Sequence, residues 1–71
     1  MSDYEAVRLN SGMERRVRAG HPWVYANEIR MMPSYRVWPK GEPVRLEAAD
    51  GGRLGLFMFN AHSLIAARLP R

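Results

Sequence analysis

The chain has 71 residues, no cysteine and a formal net charge of +4 at pH 7. Its length allows at most one domain with a small core, and without cysteine it can form neither disulfides nor a Cys-based zinc site. Hydrophobic residues make up 46% and charged residues 25%, which is typical of a globular domain and not of a disordered segment. No apolar run approaches the roughly twenty residues needed to cross a bilayer, and the N-terminus lacks the features of a signal peptide. We therefore expect a cytoplasmic protein with no membrane partner.

Arginine dominates the basic residues, providing ten of the eleven. Its planar guanidinium group binds phosphate in a bidentate manner and stacks on bases, whereas lysine is a flexible point charge. A genomic preference for arginine over lysine would give the same count without any role in nucleic-acid binding. The positions of the arginines must therefore decide between the two explanations.

The first predicted elements are a short strand over Ala6–Leu9 and a helix over residues 12–19. Ser11 followed by Glu14 has the spacing of a capping box, and Gly20 is a typical C-terminal stop. Arg15, Arg16 and Arg18 spread over the exposed part of this helix. They are either a solvated face with one Glu14–Arg18 pair or a cluster that an anionic partner neutralises.

The most distinctive stretch follows this helix and reads Gly20-His21-Pro22-Trp23-Val24-Tyr25. One interpretation is that Trp23 anchors the core of so small a domain. The other is that a turn displays arginine, histidine and aromatic groups together, a combination that grips phosphates and stacks on bases. Both can hold, since a tryptophan can pack inside while its N–H edge faces a partner.

The second half of the chain is predicted to consist mostly of strands with tight connections. A short helical turn is expected over residues 26–32, and an irregular loop with an edge strand at Tyr35, Val37 and Trp38. Two strands, over 43–49 and 54–59, are predicted to join at a hairpin, Asp50-Gly51-Gly52. The first alternates between apolar and polar residues, whereas the second is apolar on both faces and is therefore predicted to be central. A turn at residues 60–63 leads to a last strand over 64–69. The predicted core comprises Val7, Leu9, Val17, Trp23, Val24, Val44, Leu46, Leu56, Met58 and Ile65.

This order of elements favours a small α+β domain whose sheet curls into a partial barrel. No catalytic or metal site can be assembled, because there is no cysteine nucleophile, no glycine-rich phosphate loop and no pair of close carboxylates. Ser63 beside His62 is interpreted as a turn cap. The function that remains is binding. The partner is either RNA or, alternatively, a protein or a second copy of this chain, which would contact the apolar strand 54–59 and an exposed Trp38.

Several motifs in order and spacing resemble the N-terminal PUA-like domain of SAM-dependent ribosomal-RNA cytosine-5 methyltransferases. Two of them are specific, the His-Pro-Trp-Val turn and the Asn-x-His-Ser turn. The full set covers about residues 6–69: Gly20-His21-Pro22-Trp23-Val24-Tyr25, Asn27-x-Ile29, Gly41-Glu42-Pro43-Val44, Asp50-Gly51, Leu54-Gly55, Asn60-x-His62-Ser63 and Ile65-x-x-Arg68-Leu69. The chain departs from the family pattern over residues 31–39, which are more apolar than usual.

The resemblance implies a PUA-like pseudobarrel of mixed strands with one or two short helices, spanning residues 1–71 as a single RNA-binding domain. It implies ribosomal RNA as a partner, together with a downstream methyltransferase domain of the same parent chain. S-adenosylmethionine is expected to bind that parent enzyme and no cofactor is expected in this chain, which we predict to be an N-terminal fragment without catalytic residues. The predicted RNA-binding residues are Arg15, Arg16, Arg18, Gly20, His21, Trp23 and Tyr25.

Overall fold

The computed structural model of the protein describes residues 4–70. The hairpin between the two longest strands is held as predicted, because Asp50 Oδ1 accepts a hydrogen bond of 2.9 Å from the Gly52 amide. The regular elements within this range are β1 (Ala6–Arg8), α1 (Glu14–Arg18), β2 (Trp23–Tyr25), 3₁₀ segments at Ala26–Glu28 and Pro33–Val37, β3 (Glu42–Glu47), β4 (Arg53–Phe59) and β5 (Ile65–Arg68).

All five strands belong to one sheet, in the order β1-β3-β4-β5-β2. β1 is parallel to β3, and the other neighbours are antiparallel. β4 therefore lies in the middle of the sheet, which confirms the prediction of a central strand there. β4 pairs with β3 between Arg53 and Phe59 and with β5 at Met58 and Phe59, so its hydrogen bonds to β5 lie at its C-terminal end.

The sheet curls because the segment that follows the edge strand β2 reaches the other edge strand, β1. On the β1 side, Leu9 bridges to Ile29, and the Arg30 amide donates to the carbonyl of Arg8 at 2.9 Å. On the β5 side, the Ala26 amide donates to the carbonyl of Leu64 at 2.8 Å. The result is a half-barrel of mixed strands with a few short helices, in agreement with the predicted α+β class.

The core fills the inside of this curled sheet. Five of the predicted core residues are buried: Val7, Leu9, Val24, Val44 and Leu46. Val17 of α1 packs against this cluster while partly buried. Buried core residues that the sequence analysis did not include are Ile29, Tyr35, Ala48, Phe57, Phe59, Ala66 and Ala67.

The predicted inward face of β4 is wrong. Leu56 is 42% exposed, whereas Phe57 and Phe59 are each 1% exposed. Phe57 lies directly opposite Val44 in the β3–β4 ladder, and residues directly opposite each other point to the same face. Because β4 is apolar on both faces, its own pattern could not select the register. The same error places Ile65 inside, although it is 38% exposed and its neighbours Ala66 and Ala67 are buried.

Two local predictions are also wrong. The helix begins at Glu14 with Met13 as its N-cap and no side-chain cap, because Gly12 adopts a positive φ of 84° that ends any helical path from Ser11. Residues 33–37 form a 3₁₀ segment where an edge strand was expected. Pro33 suits the first turn of such a segment, and Tyr35 anchors it in the core.

The helical segments described here are too short and too polar to cross a membrane.

Candidate nucleic-acid interface

The turn after α1 is fixed by a hydrogen-bonded helix terminus. Gly20 has a φ of 99°, its amide donates to the Val17 carbonyl at 3.0 Å, and the His21 amide donates to the Arg16 carbonyl at 2.9 Å. This pair of bonds is the Schellman arrangement, which needs a residue that tolerates a positive φ. Gly20 thus ends the helix as predicted and places His21 next to Arg16.

Arg16 is held in place by two neighbours from the segment after β2. Its Nη1 atom lies 3.0 Å from Glu28 Oε2, and its guanidinium carbon lies 5.6 Å from the centre of the Tyr25 ring. Glu28 also accepts a hydrogen bond from the Tyr25 amide at 2.9 Å. One carboxylate therefore fixes both residues, and the ring and the guanidinium group form a stacked pair at the surface.

His21 and Trp23 form a second aromatic pair, with ring centroids 4.5 Å apart in an edge-to-face arrangement. His21 Nε2 and the Trp23 indole Nε1 are both buried and have no hydrogen-bond partner among residues 4–70. A buried polar atom without a partner costs about 1–3 kcal/mol. Trp23 is half-buried in strand β2 and not in a turn as expected, because β2 pairs with the distant β5.

These residues lie in or beside one shallow groove. A groove of about 400 Å³ is lined by Arg16, Ala19, Gly20, His21 and Pro22, with Tyr25 stacked on Arg16 and Trp23 packed on His21. We call this set the helix–turn surface. It unites five of the seven residues predicted from the sequence to bind RNA: Arg16, Gly20, His21, Trp23 and Tyr25.

The other two predicted residues point elsewhere. Arg18 reaches the β3–β4 hairpin, where its Nη2 atom lies 3.0 Å from the position that a Cβ at Gly52 would occupy. Arg15 is exposed on α1. The three arginines thus fan out around the helix, and the ion pair that α1 makes within residues 4–70 is Arg16 with Glu28, not Glu14 with Arg18.

A second basic region was not predicted from the sequence. Arg8, Arg30 and Arg45 come together with Tyr35 and Glu47 around a groove of about 460 Å³, which we call the arginine groove. These residues are scattered in the sequence, and only the parallel pairing of β1 with β3 places Arg8 beside Glu47. The sequence offered one indication of this region, because the strand patterns placed Arg8 and Arg45 on the outer faces of their strands.

The Asn60–Ser63 turn has a structural role. Asn60 Oδ1 accepts a hydrogen bond from the His62 amide at 2.9 Å, and His62 Nε2 lies 3.0 Å from the carbonyl oxygen of Arg36. His62 therefore ties this turn to the 3₁₀ segment at 33–37. Among residues 4–70, no three histidine or acidic side chains are grouped so that they could hold a metal ion.

Two features suggested a protein-interaction surface, the apolar strand 54–59 and Trp38. β4 pairs with β5 at Met58 and Phe59, and Leu56 on its outer face is exposed. Trp38, expected to be exposed, is half-buried and packs against Tyr35 with ring centroids 4.6 Å apart. Its ring therefore contributes to the core more than to a docking surface.

Comparison with known proteins identifies one domain family. No curated protein matches the chain. The model of the PUA-like domain matches residues 7–70, from the middle of β1 to the end of the described range. Because this match covers nearly the whole sequence and agrees with the half-barrel, the chain belongs to the PUA-like domain family.

Proposed function

We propose that this domain binds structured ribosomal RNA through the helix–turn surface and so helps to position a SAM-dependent rRNA cytosine-5 methyltransferase. PUA-like domains generally bind RNA. The observation that carries the proposal for this chain is the pairing of Arg16 with Tyr25 beside the exposed Gly20. An arginine stacked on an aromatic ring next to an accessible glycine suits a phosphate with an adjoining base.

Glu28 determines how Arg16 can act. Because Glu28 already neutralises part of the charge of Arg16, this arginine contributes orientation and stacking as well as charge. Arg15 and Arg18 have no carboxylate partner within residues 4–70, so they contribute the more open positive charge. The helix–turn surface therefore has one fixed guanidinium group, and two more open ones extend from the same helix outside that surface.

The first test is RNA binding by a variant in which Arg15, Arg16 and Arg18 are all replaced by serine. Binding to a structured rRNA transcript, measured by fluorescence anisotropy, should weaken. The plot of log affinity against log salt should flatten by roughly 0.7–0.9 for each phosphate that the variant no longer neutralises. Circular dichroism and thermal unfolding establish that the variant is folded, since the change also removes the Arg16–Glu28 pair.

A matched control distinguishes the effect of where the three arginines lie from the effect of the total charge. Replacing Arg36, Lys40 and Arg53 with serine removes the same three charges from exposed sites outside the helix–turn surface, leaving eight bases against seven acids in either variant. This control should retain most of the affinity. If both triple variants lose affinity equally, binding reflects net charge alone and the proposed surface is wrong.

The link to methylation is tested in a methyltransferase that carries this domain. Arg15→Ser together with Arg18→Ser should raise KM for the rRNA substrate and leave kcat nearly unchanged, since the domain holds substrate without taking part in chemistry. An unchanged KM for rRNA would contradict the positioning role.

A further inference from the structure

The arginine groove lies on a different part of the molecule from the helix–turn surface. The two grooves share no lining residue. Arg8 lies on β1, Arg45 on β3, and Arg30 in the segment that pairs with the free edge of β1. Three adjacent chain segments thus each supply one arginine to the same groove.

Glu47 fixes two of these arginines. Its Oε1 accepts a hydrogen bond of 3.1 Å from Arg8 Nε, and its Oε2 accepts one of 3.1 Å from Arg45 Nε. The Glu47 side chain is 10% exposed, whereas those of Arg8 and Arg45 are 47% and 30% exposed. Because both bonds use Nε, the terminal amino groups remain free to bind a ligand, and the buried carboxylate orients them in advance.

The groove keeps an excess of positive charge. Three arginines against one glutamate leave a charge of +2. Glu5 lies near enough to affect Tyr35, so counting it as well still leaves +1. The Arg30 side chain makes no ion pair within the described residues, and its guanidinium group is therefore available to an anion.

Tyr35 adds a neutral hydrogen-bond donor. Burial raises the pKa of its hydroxyl, although the nearby positive charges of Arg30 and Arg8 oppose the effect. The hydroxyl therefore keeps its proton at neutral pH. The ring of Tyr35 is fixed against Trp38 and Phe59.

We propose that the arginine groove binds a phosphate group, held by the guanidinium groups of Arg30, Arg8 and Arg45 and by the hydroxyl of Tyr35. Arginines positioned by a carboxylate, with a neutral O–H donor beside them, match the several acceptor oxygens of a phosphate. The phosphate can come from an RNA backbone or from a free nucleotide. This site goes beyond the helix–turn surface, because it uses none of the residues of that surface.

The test compares Arg30→Gln and Tyr35→Phe with the control Lys40→Gln. Arg30 is exposed and outside every ion pair described, so its replacement should leave the fold intact, and Tyr35→Phe keeps the ring packing. Lys40→Gln removes the same charge at the other end of β3. The probes are inorganic phosphate and adenosine 5′-monophosphate, followed by NMR chemical shifts, and a structured rRNA transcript, followed by anisotropy.

Arg30→Gln should weaken binding of at least one phosphate probe about tenfold, and Tyr35→Phe should weaken it less, with Lys40→Gln close to the parent. Weaker binding of the mononucleotide but not of RNA identifies a free nucleotide as ligand, and the reverse identifies the RNA backbone. If Arg30→Gln and Lys40→Gln behave alike with every probe, the proposal is overturned. RNA binding by the helix–turn surface is tested separately, with the variant that replaces Arg15, Arg16 and Arg18.

Discussion

At the scale of single residues, the burial of Glu47 departs most from what its sequence pattern predicts. It alternates with Val44 and Leu46 as a solvent-facing residue would, yet it is 8% exposed. Burial alone would raise the pKa of its carboxyl, but hydrogen bonds from Arg45 and Arg8 and the charges of both outweigh burial and lower it. Only the neighbouring strand β1 explains this, so strand alternation could not predict it.

Glu47→Gln should destabilise the domain at neutral pH by about 1–3 kcal/mol, the usual worth of hydrogen bonds to a charged group. A lowered pKa in the folded state stabilises the fold at pH values above the ordinary value of about 4.5, and this stabilisation is lost as pH falls through the lowered pKa. The gap between wild type and variant in urea unfolding should therefore narrow from pH 7 to pH 3.

Glu42→Gln is the matched control, because Glu42 is an exposed glutamate on the same strand. It should change the free energy of unfolding by less than about 0.5 kcal/mol at any pH. A gap between wild type and Glu47→Gln that stays equal at pH 3 and pH 7 would show that the charge of Glu47 is not the cause.

At the scale of elements, the register of β4 gives a direct stability prediction. Phe57→Ala should cost about 3–5 kcal/mol, because a fully buried ring is replaced by a cavity. Leu56→Ala on the outer face should cost less than about 1 kcal/mol. Urea unfolding of both variants, with m-values compared to the parent, measures the difference.

Phe57→Leu keeps this comparison measurable if Phe57→Ala does not fold. It should cost less than Phe57→Ala, roughly 1–3 kcal/mol, because leucine fills part of the space that the ring occupies. Equal destabilisation by Leu56→Ala and Phe57→Ala would mean that β4 presents its other face to the core.

The elements that the sequence predicted well are those whose own pattern carries the information. β3 alternates cleanly, so Val44 and Leu46 were placed correctly, and Asp50-Gly51-Gly52 marks a hairpin by its composition. The helix–turn surface was largely predictable because Arg16, Gly20, His21, Trp23 and Tyr25 are close in sequence. β2 and the arginine groove depend on pairing between distant segments, which no local pattern reveals.

At the scale of the whole molecule, positive charge is spread over two surfaces and the hairpin between them. Arg18 lies against Gly52, and Arg8 Nη2 lies 3.3 Å from the position of a Cβ at the adjacent Gly51. Arg18 extends from the helix that carries Arg16, and Arg8 belongs to the arginine groove. The β3–β4 hairpin thus lies between the two basic regions, and we expect one RNA strand to follow both.

The length of RNA needed for full affinity should therefore match the size of the domain. Its longest extent is 29 Å, and a strand of double-helical DNA advances about 3.4 Å per nucleotide, so a strand of similar rise needs roughly nine nucleotides to span it. Affinity and salt dependence, measured by anisotropy for oligonucleotides of three to fifteen nucleotides, should rise to about that length and then level off. The Arg30→Gln variant should level off at a shorter length, because its contacts end near the hairpin. A salt dependence that is constant from three nucleotides upward would instead mean that RNA touches a single small site, and the two basic surfaces would then act on different ligands.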